Sequence, residues 1–183
     1  MEAQGLDKWR SFFVFSSSGY GYIVRADGHT QSTAGEDRPR NFQLKLGLHG
    51  HMERFYFVEH EGDLLMIYEV SDARSGWGYI MRLDQKTLRP RWIKPVSGLN
   101  IGPALVEADY AYVTAANLLI KIDLRSGVSV WQQEEFEKQY ALSFAGFRLP
   151  SILDERVFFA EDAESGKTLE VDKTTGKILG VKN

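Results

Sequence analysis

The side chains able to do chemistry are few and scattered. His49 and His51, in the run HGH, have the i, i+2 spacing that puts two imidazoles on one face of a strand, and His60 follows. A bound metal needs a third and usually a fourth ligand with further support, and no cysteine or histidine cluster supplies them. The run is therefore expected to be part of a loop, with no metal and no cofactor. Ser16, Ser17 and Ser18 stand beside Gly19 and Gly21. They form neither the G-x-S-x-G elbow nor the G-x-x-x-x-G-K phosphate loop, so they read as a glycine-rich strand connection. Carboxylates are plentiful, yet paired-acid catalysis depends on a separation that sequence does not fix. Cysteine is absent altogether, which removes the thiol nucleophile, the thiolate metal site and the disulfide. No catalytic residue is expected, and the protein reads as a non-enzyme.

Two features point to binding. The segment from 132 to 164 carries 8 acids (Glu134, Glu135, Glu137, Asp154, Glu155, Glu161, Asp162, Glu164) against 3 bases (Lys138, Arg148, Arg156). Such a run suits a basic partner, because opposite charge speeds encounter and fixes register. Its beginning, Gln132 to Tyr140, is the best helix candidate in the chain. The second feature is SDARSGWGY, residues 71 to 79, which reads as an exposed loop around Trp77. The expected partner-binding residues are Glu134, Glu135, Glu137, Glu161, Asp162 and Trp77.

The elements that must position these residues follow from pattern. An apolar share of 43% and a charged share of 26% over 183 residues describe one globular domain with a real core. The 13% aromatic share suits pleated surfaces. A net charge of −3 argues against sequence-independent nucleic-acid binding. That charge is uneven: residues 1–101 hold 13 Lys/Arg and 12 Asp/Glu, and residues 102–183 hold 9 and 13. No apolar run reaches the ~20 residues of a membrane span. The start, MEAQGLDKWRSFFVF, lacks the basic, apolar and small-residue regions of a signal peptide, which gives the expectation of a cytoplasmic protein.

A pattern then recurs four times, at Asp27, Asp84, Asp123 and Asp172. In IKIDLRSGVSVW, strand alternation runs into Asp123, a turn ends at Gly127, and Trp131 follows the aspartate by eight positions. Asp84 and Trp92 repeat the spacing; Asp172 has Gly176 but Gly180 in place of the tryptophan; Asp27 has a shortened turn. The aspartate carboxylate can accept from a following backbone N–H, and glycine supplies positive φ. Upstream of three of these turns lies another strand pair, around Glu61-Gly62, Ala108-Asp109 and Asp154-Glu155. Four strands per unit result, and a sheet that cannot bury both faces alone must stack on its neighbours.

The run strand, D-x-x-x-G, strand, tryptophan, preceded by a hairpin, resembles the repeat of pyrroloquinoline-quinone-type (quinoprotein-like) β-propellers, a repeat also used by the outer-membrane assembly lipoprotein BamB. Pro103 to Trp131 carries the resemblance best and Pro150 to Val181 next. It implies that Trp92 and Trp131 dock between neighbouring blades. Family members usually have more blades, and the first and fourth units here lack the tryptophan. Quinone dehydrogenases with this repeat use a vicinal cysteine pair and a calcium-holding Glu, Asn and Asp group; a chain without cysteine and with about half the blades is not expected to share that chemistry.

These readings give a single all-β domain over 1–183, a small propeller of four blades made of antiparallel four-stranded sheets, closing between N- and C-terminal strands. Its units fall near 1–40, 41–96, 97–135 and 136–183. The expected function is a protein-binding module, in its sharper form a bacterial immunity protein that inhibits a basic, nuclease-like toxin. The alternatives are an assembly scaffold resembling BamB, or a glycan- or small-molecule-binding propeller using Trp77, Tyr20 and Tyr79. Neither nucleic acid nor membrane is an expected partner.

Overall fold

The computed structural model describes residues 11–15, 20–25, 42–43, 51–71, 76–84, 89–97, 99–143, 146–163 and 166–182; Asp27, His49 and Ser16 to Ser18 lie outside them. The regular structure among the described residues is almost entirely β, as the alternation implies. Strands β1 (Ser11–Phe15), β2 (Tyr20–Arg25) and β3 (Phe42–Gln43) form a three-stranded antiparallel sheet. Three four-stranded sheets follow. The second sheet holds β4 (His51–His60), β5 (Asp63–Ser71), β6 (Gly76–Asp84) and β7 (Pro90–Val96). The third holds β8 (Leu105–Glu107), β9 (Tyr110–Ala115), β10 (Leu118–Asp123) and β11 (Ser129–Glu134), and the fourth β12 (Ser151–Leu153), β13 (Arg156–Ala160), β14 (Thr168–Asp172) and β15 (Ile178–Lys182). One short helix, α1 (Glu137–Tyr140), joins the third sheet to the fourth.

Every sheet is a meander of consecutive strands. The expected closure by pairing of the chain ends is therefore not seen among the described residues: β15 pairs with β14 and β1 with β2. No helix among the described residues is long and apolar enough to cross a membrane.

The hairpins form where turn chemistry places them, at Glu61-Gly62, Ala108-Asp109 and Asp154-Glu155. In the D-x-x-x-G turns the aspartate organises the loop. Asp123 Oδ1 accepts the Ser126 N–H at 2.8 Å and the Ser126 hydroxyl at 2.7 Å, and Asp172 Oδ1 accepts the Thr175 N–H and hydroxyl, both at 2.7 Å. Two residues before each aspartate the pairing of the third and fourth strands slips, between Arg82/Leu83, Lys121/Ile122 and Glu170/Val171. A bulge there bends the fourth strand and sharpens its twist. The outermost strand thereby swings toward the next sheet.

What it delivers is the tryptophan. Trp92 donates its indole N–H to the Leu124 carbonyl at 2.9 Å, and Trp131 donates to the Lys173 carbonyl at 3.1 Å. Each acceptor is the residue after the aspartate of the next unit's turn. A Cβ at Gly127 would stand 2.7 Å from the Trp92 ring, and one at Gly176 2.5 Å from the Trp131 ring. With φ of 73° and 74° as well, both positions require glycine. The docking of Trp92 and Trp131 between sheets, which the resemblance implies, is thus seen directly.

Strands β5 and β10 bury both faces. Ile120 and Ile122 of β10 face the second sheet, against Ile67 and Ile80, while Leu119 faces the fourth, against Val157, Phe159 and Leu169. All of these are fully buried.

Two expectations are corrected. Trp77 is not on a loop: β5 and β6 pair without a break from Asp63↔Asp84 to Ser71↔Gly76, and Trp77 sits in β6 opposite Val70. The Gly-Trp-Gly run that reads as a loop continues the strand, and its Gly78 is a packing glycine, since a Cβ there would meet Val96 Cγ2 at 2.6 Å. The helix expected over Gln132 to Tyr140 is confined to its last four residues. Gln132, Gln133 and Glu134 instead pair with Ile120, Leu119 and Leu118, so cross-strand pairing next to the docked Trp131 overrides a weak local helix preference.

Truncating Trp131 to alanine is expected to cost about 3–5 kcal/mol, as large aromatic truncations in packed interiors do. Gly176→Ala should cost about 2–4 kcal/mol in the parent, from positive φ and the ring together, but only about 1–2 kcal/mol once Trp131 is alanine. Chemical denaturation of the double-mutant cycle measures this; additive losses would show that ring and turn do not touch.

Candidate partner-binding cleft

The acidic segment leaves the third sheet along β11 and turns back at Glu135, which takes a left-handed φ of 57°. Phe136 then anchors the chain inward, packing on Phe147 with ring centroids 6.2 Å apart, and Phe147 meets Phe159 edge-on at 6.5 Å. Helix α1 ends after one turn because Ala141 adopts φ 51°, its N–H turning back to the carbonyls of Glu137 and Lys138. Lys167 Nζ holds the Ala141 carbonyl from the far side at 2.6 Å.

Between this corner and the turn joining β14 to β15 lies an open cleft of about 300 Å³. Glu134, Glu135 and Tyr140 line one wall, and Thr175 and Lys177 the other. Glu134 is fixed in place: its Oε1 accepts the Gln132 amide N–H at 2.6 Å and the Ser97 hydroxyl at 3.3 Å. Glu134 and Glu135 are both exposed.

The other acids of the expected patch do not join them. Asp162 is exposed but lies at the end of the fourth sheet's second hairpin, paired with Arg148 at 3.2 Å. Glu137 and Glu161 are each only 2% exposed, which removes them from any contact surface. Glu161 is spent internally, accepting the Ser143 N–H at 2.6 Å and its hydroxyl at 2.9 Å. Glu137 points inward behind Phe136, and its Oε1 has no hydrogen-bond partner among the described residues. Burial holds the Glu137 carboxyl above the usual carboxylate range.

Trp77 is 37% exposed on β6, on the other side of the third sheet from this cleft. The aromatic set proposed for a ligand pocket is packed rather than open at one point: Tyr79 stacks on Tyr68 at 5.3 Å, and Tyr68 is fully buried.

The residues that sequence reasoning missed are Arg82 and Lys121. They stand two positions before their aspartates, directly across from Trp92 and Trp131. Arg82 Nη1 donates to the Leu124 carbonyl at 2.9 Å and Lys121 Nζ to the Lys173 carbonyl at 3.1 Å, the same acceptors the tryptophans use. Lys121 also lies over the Tyr110 ring at 4.4 Å. Burial lowers its pKa, with Lys173 adding to the effect. The signal was in the sequence as R-L-D and K-I-D. One group of metal-capable side chains also converges among the described residues, His60 with Glu61 and Asp109.

No protein-family model matches the sequence, and no curated protein matches it. Solved structures do match in fold. BamB from Moraxella catarrhalis superposes with a TM-score of 0.61 at 17% identity, over 95% of this chain and 49% of that one. A quinohemoprotein alcohol dehydrogenase from Pseudomonas putida gives 0.53 at 13% identity, over 82% and 32%. A chain in the structure of the mitotic checkpoint complex gives 0.59 at 9% identity, over 96% and 49%. This chain spans about half the length of the BamB chain and about a third of the dehydrogenase. The fold is therefore that of a small β-propeller, shared with BamB and the quinohemoprotein dehydrogenase, and the likeness is structural.

Glu137→Gln provides a test of the corner. The folded-state pKa is raised, so the ionised carboxylate destabilises the fold as pH rises through the carboxylate range, and the effect is absent below it. The amide should gain about 1 kcal/mol at pH 7 and nothing at pH 3, read by denaturation at the two pH values. An equal change at both would show that Glu137 is solvated.

Proposed function

We propose that the protein is a non-enzymatic binding module that engages a basic protein partner through the cleft between its third and fourth sheets. In its sharper form it is a cytoplasmic immunity protein that inhibits a nuclease-like toxin. The observation that carries the reading is the pair of exposed carboxylates, Glu134 and Glu135, at an open cleft of about 300 Å³. A ligand-sized hollow lined by exposed acids on one wall suits the insertion of a lysine or arginine side chain. The acidic second half of the chain, 13 Asp/Glu against 9 Lys/Arg over residues 102–183, extends that attraction beyond the contact itself. The matching fold in a chain of the mitotic checkpoint complex supports a protein rather than a metabolite as partner. An assembly scaffold resembling BamB uses the same surface logic with a different partner, and fold likeness at 17% identity does not choose between them.

Changing Glu134 and Glu135 to lysine should leave the fold intact, since exposed substitutions cost little. Association with the partner captured from native extract should slow about tenfold at low salt, with a flatter dependence on salt than the parent. Stopped-flow or surface-based kinetics at two ionic strengths reads both. A variant that binds as fast as the parent would make the cleft solvated surface, and capture of a sugar or metabolite would end the protein-partner reading.

A further inference from the structure

Two hairpin tips from neighbouring sheets meet at one rim of the molecule. His60 closes β4, and Glu61 opens the turn to β5 with φ 50°, followed by Gly62 at φ 76°. Asp109 closes the turn before β9 in the next sheet's first hairpin, after Ala108 at φ 49°. One ligand-capable atom from each of His60, Glu61 and Asp109 lies within 4.8 Å of the others. His60 Nε2 is 3.7 Å from Glu61 Oε2, too far for a hydrogen bond. That nitrogen is shielded from solvent and has no hydrogen-bond partner in the described structure. A buried ring nitrogen left unmet costs stability unless something occupies it.

We propose that this rim is a binding site for a divalent transition-metal ion, held by His60 Nε2 and the carboxylates of Glu61 and Asp109. One imidazole and two carboxylates form a mixed nitrogen and oxygen donor set, which suits zinc and its first-row neighbours and is a poor match for magnesium. Two negative charges match a dication. Around zinc the donors would stand about 3.3–3.5 Å apart, from bond lengths near 2.1 Å, so the carboxylates must close in by roughly 1 Å. They are free to do so: the side chains of Glu61 and Asp109 are 58% and 41% exposed, while His60, at 16%, is the fixed member.

The present partners of the two acids do not stand in the way. Arg125 reaches Asp109 at 3.3 Å from a side chain that is 72% exposed, a pair of little worth in water. Arg82 lies 3.5 Å from Glu61 but keeps Asp63 at 2.6 Å and the Leu124 carbonyl at 2.9 Å, so it stays anchored if Glu61 turns to the ion. The two hairpins are also tied to one another. Arg82, from the sheet that carries His60, holds the Leu124 carbonyl, and the Leu124 N–H donates to the Asp109 carbonyl at 2.8 Å. The fold brings the two hairpin tips together before any ion arrives.

The test uses the full chain without an affinity tag, stripped with a chelator and titrated with zinc chloride by calorimetry, with magnesium chloride as the second arm. A single zinc per chain should bind, raising the melting temperature, and magnesium should not compete. His60→Ala and Asp109→Asn should each weaken binding about tenfold or more. Asp109 is at an exposed turn, so its asparagine variant keeps the fold and decides the matter if the His60 variant does not. His49 and His51 offer zinc an unrelated pair of imidazoles, and replacing both with alanine should leave the binding unchanged. Absence of zinc binding, equal affinity in the Asp109 variant, or loss of binding only on removing His49 and His51 would each overturn the proposal.

Discussion

The architecture turns on one backbone carbonyl per turn, that of the residue following the aspartate. Leu124 and Lys173 each accept an indole N–H and a cationic side chain from the preceding sheet. The N–H groups of the same two residues donate to the carbonyls of Asp109 and Glu155, in their own sheet's first hairpin, at 2.8 and 2.9 Å. One residue thus ties three hairpins. A buried carbonyl has two lone pairs to satisfy, and here both are met by groups from the neighbouring unit. This fixes the stacking of sheets more specifically than the apolar face between them, since hydrophobic contact alone is non-directional.

The fourth sheet departs from this arrangement at the positions that matter. Glu170 stands where Arg82 and Lys121 stand in the preceding sheets, and Gly180 replaces the tryptophan across from it. Glu170 is held by Arg156 and by Lys182, the latter at 2.7 Å, and these contacts keep its carboxyl below the usual range. Lys182 in turn covers Phe158, the counterpart of the buried Tyr112 and Leu65 in the sheets before it. A carboxylate cannot donate to a carbonyl, so this sheet cannot repeat the contact that joins the second to the third and the third to the fourth. Its side chains satisfy one another within the sheet instead.

Legibility in the sequence follows the range of the interactions. The turns were readable because Asp123, Ser126 and Gly127 act within five residues, and the strands because alternation is local. That Trp131 is interior followed from the resemblance, but its acceptor, Lys173, lies 42 residues away and no spacing rule points to it. Charge misled most. Glu137 and Glu161 look like members of a solvated acidic run, yet Phe136 carries one inward and Ser143 claims the other. Trp77 misled in the opposite way, because glycine on both sides mimics a loop, while Gly78 in fact makes room for Val96 and Ile101. Asp109, which lies near His60 and Glu61, belongs to the next repeat and is brought there only by stacking, so no local spacing shows the three together.

The same handoff explains why the candidate sites sit where they do. Each docked tryptophan draws the fourth strand of one sheet onto the turn of the next, so residues at the sheet ends are brought beside residues from another unit. At the end of the third sheet this places β11 and Glu135 opposite Thr175 and Lys177, and the cleft is the gap left beside the Trp131 contact. At the end of the second sheet it places Glu61 beside Asp109 through Arg82 and Leu124. Exposed turns can vary without disturbing the carbonyl that ties them, since none of Glu61, Asp109, Glu134 or Glu135 uses its side chain in that contact. Stacking therefore fixes where two tips meet, and the tip side chains are left to decide what binds there.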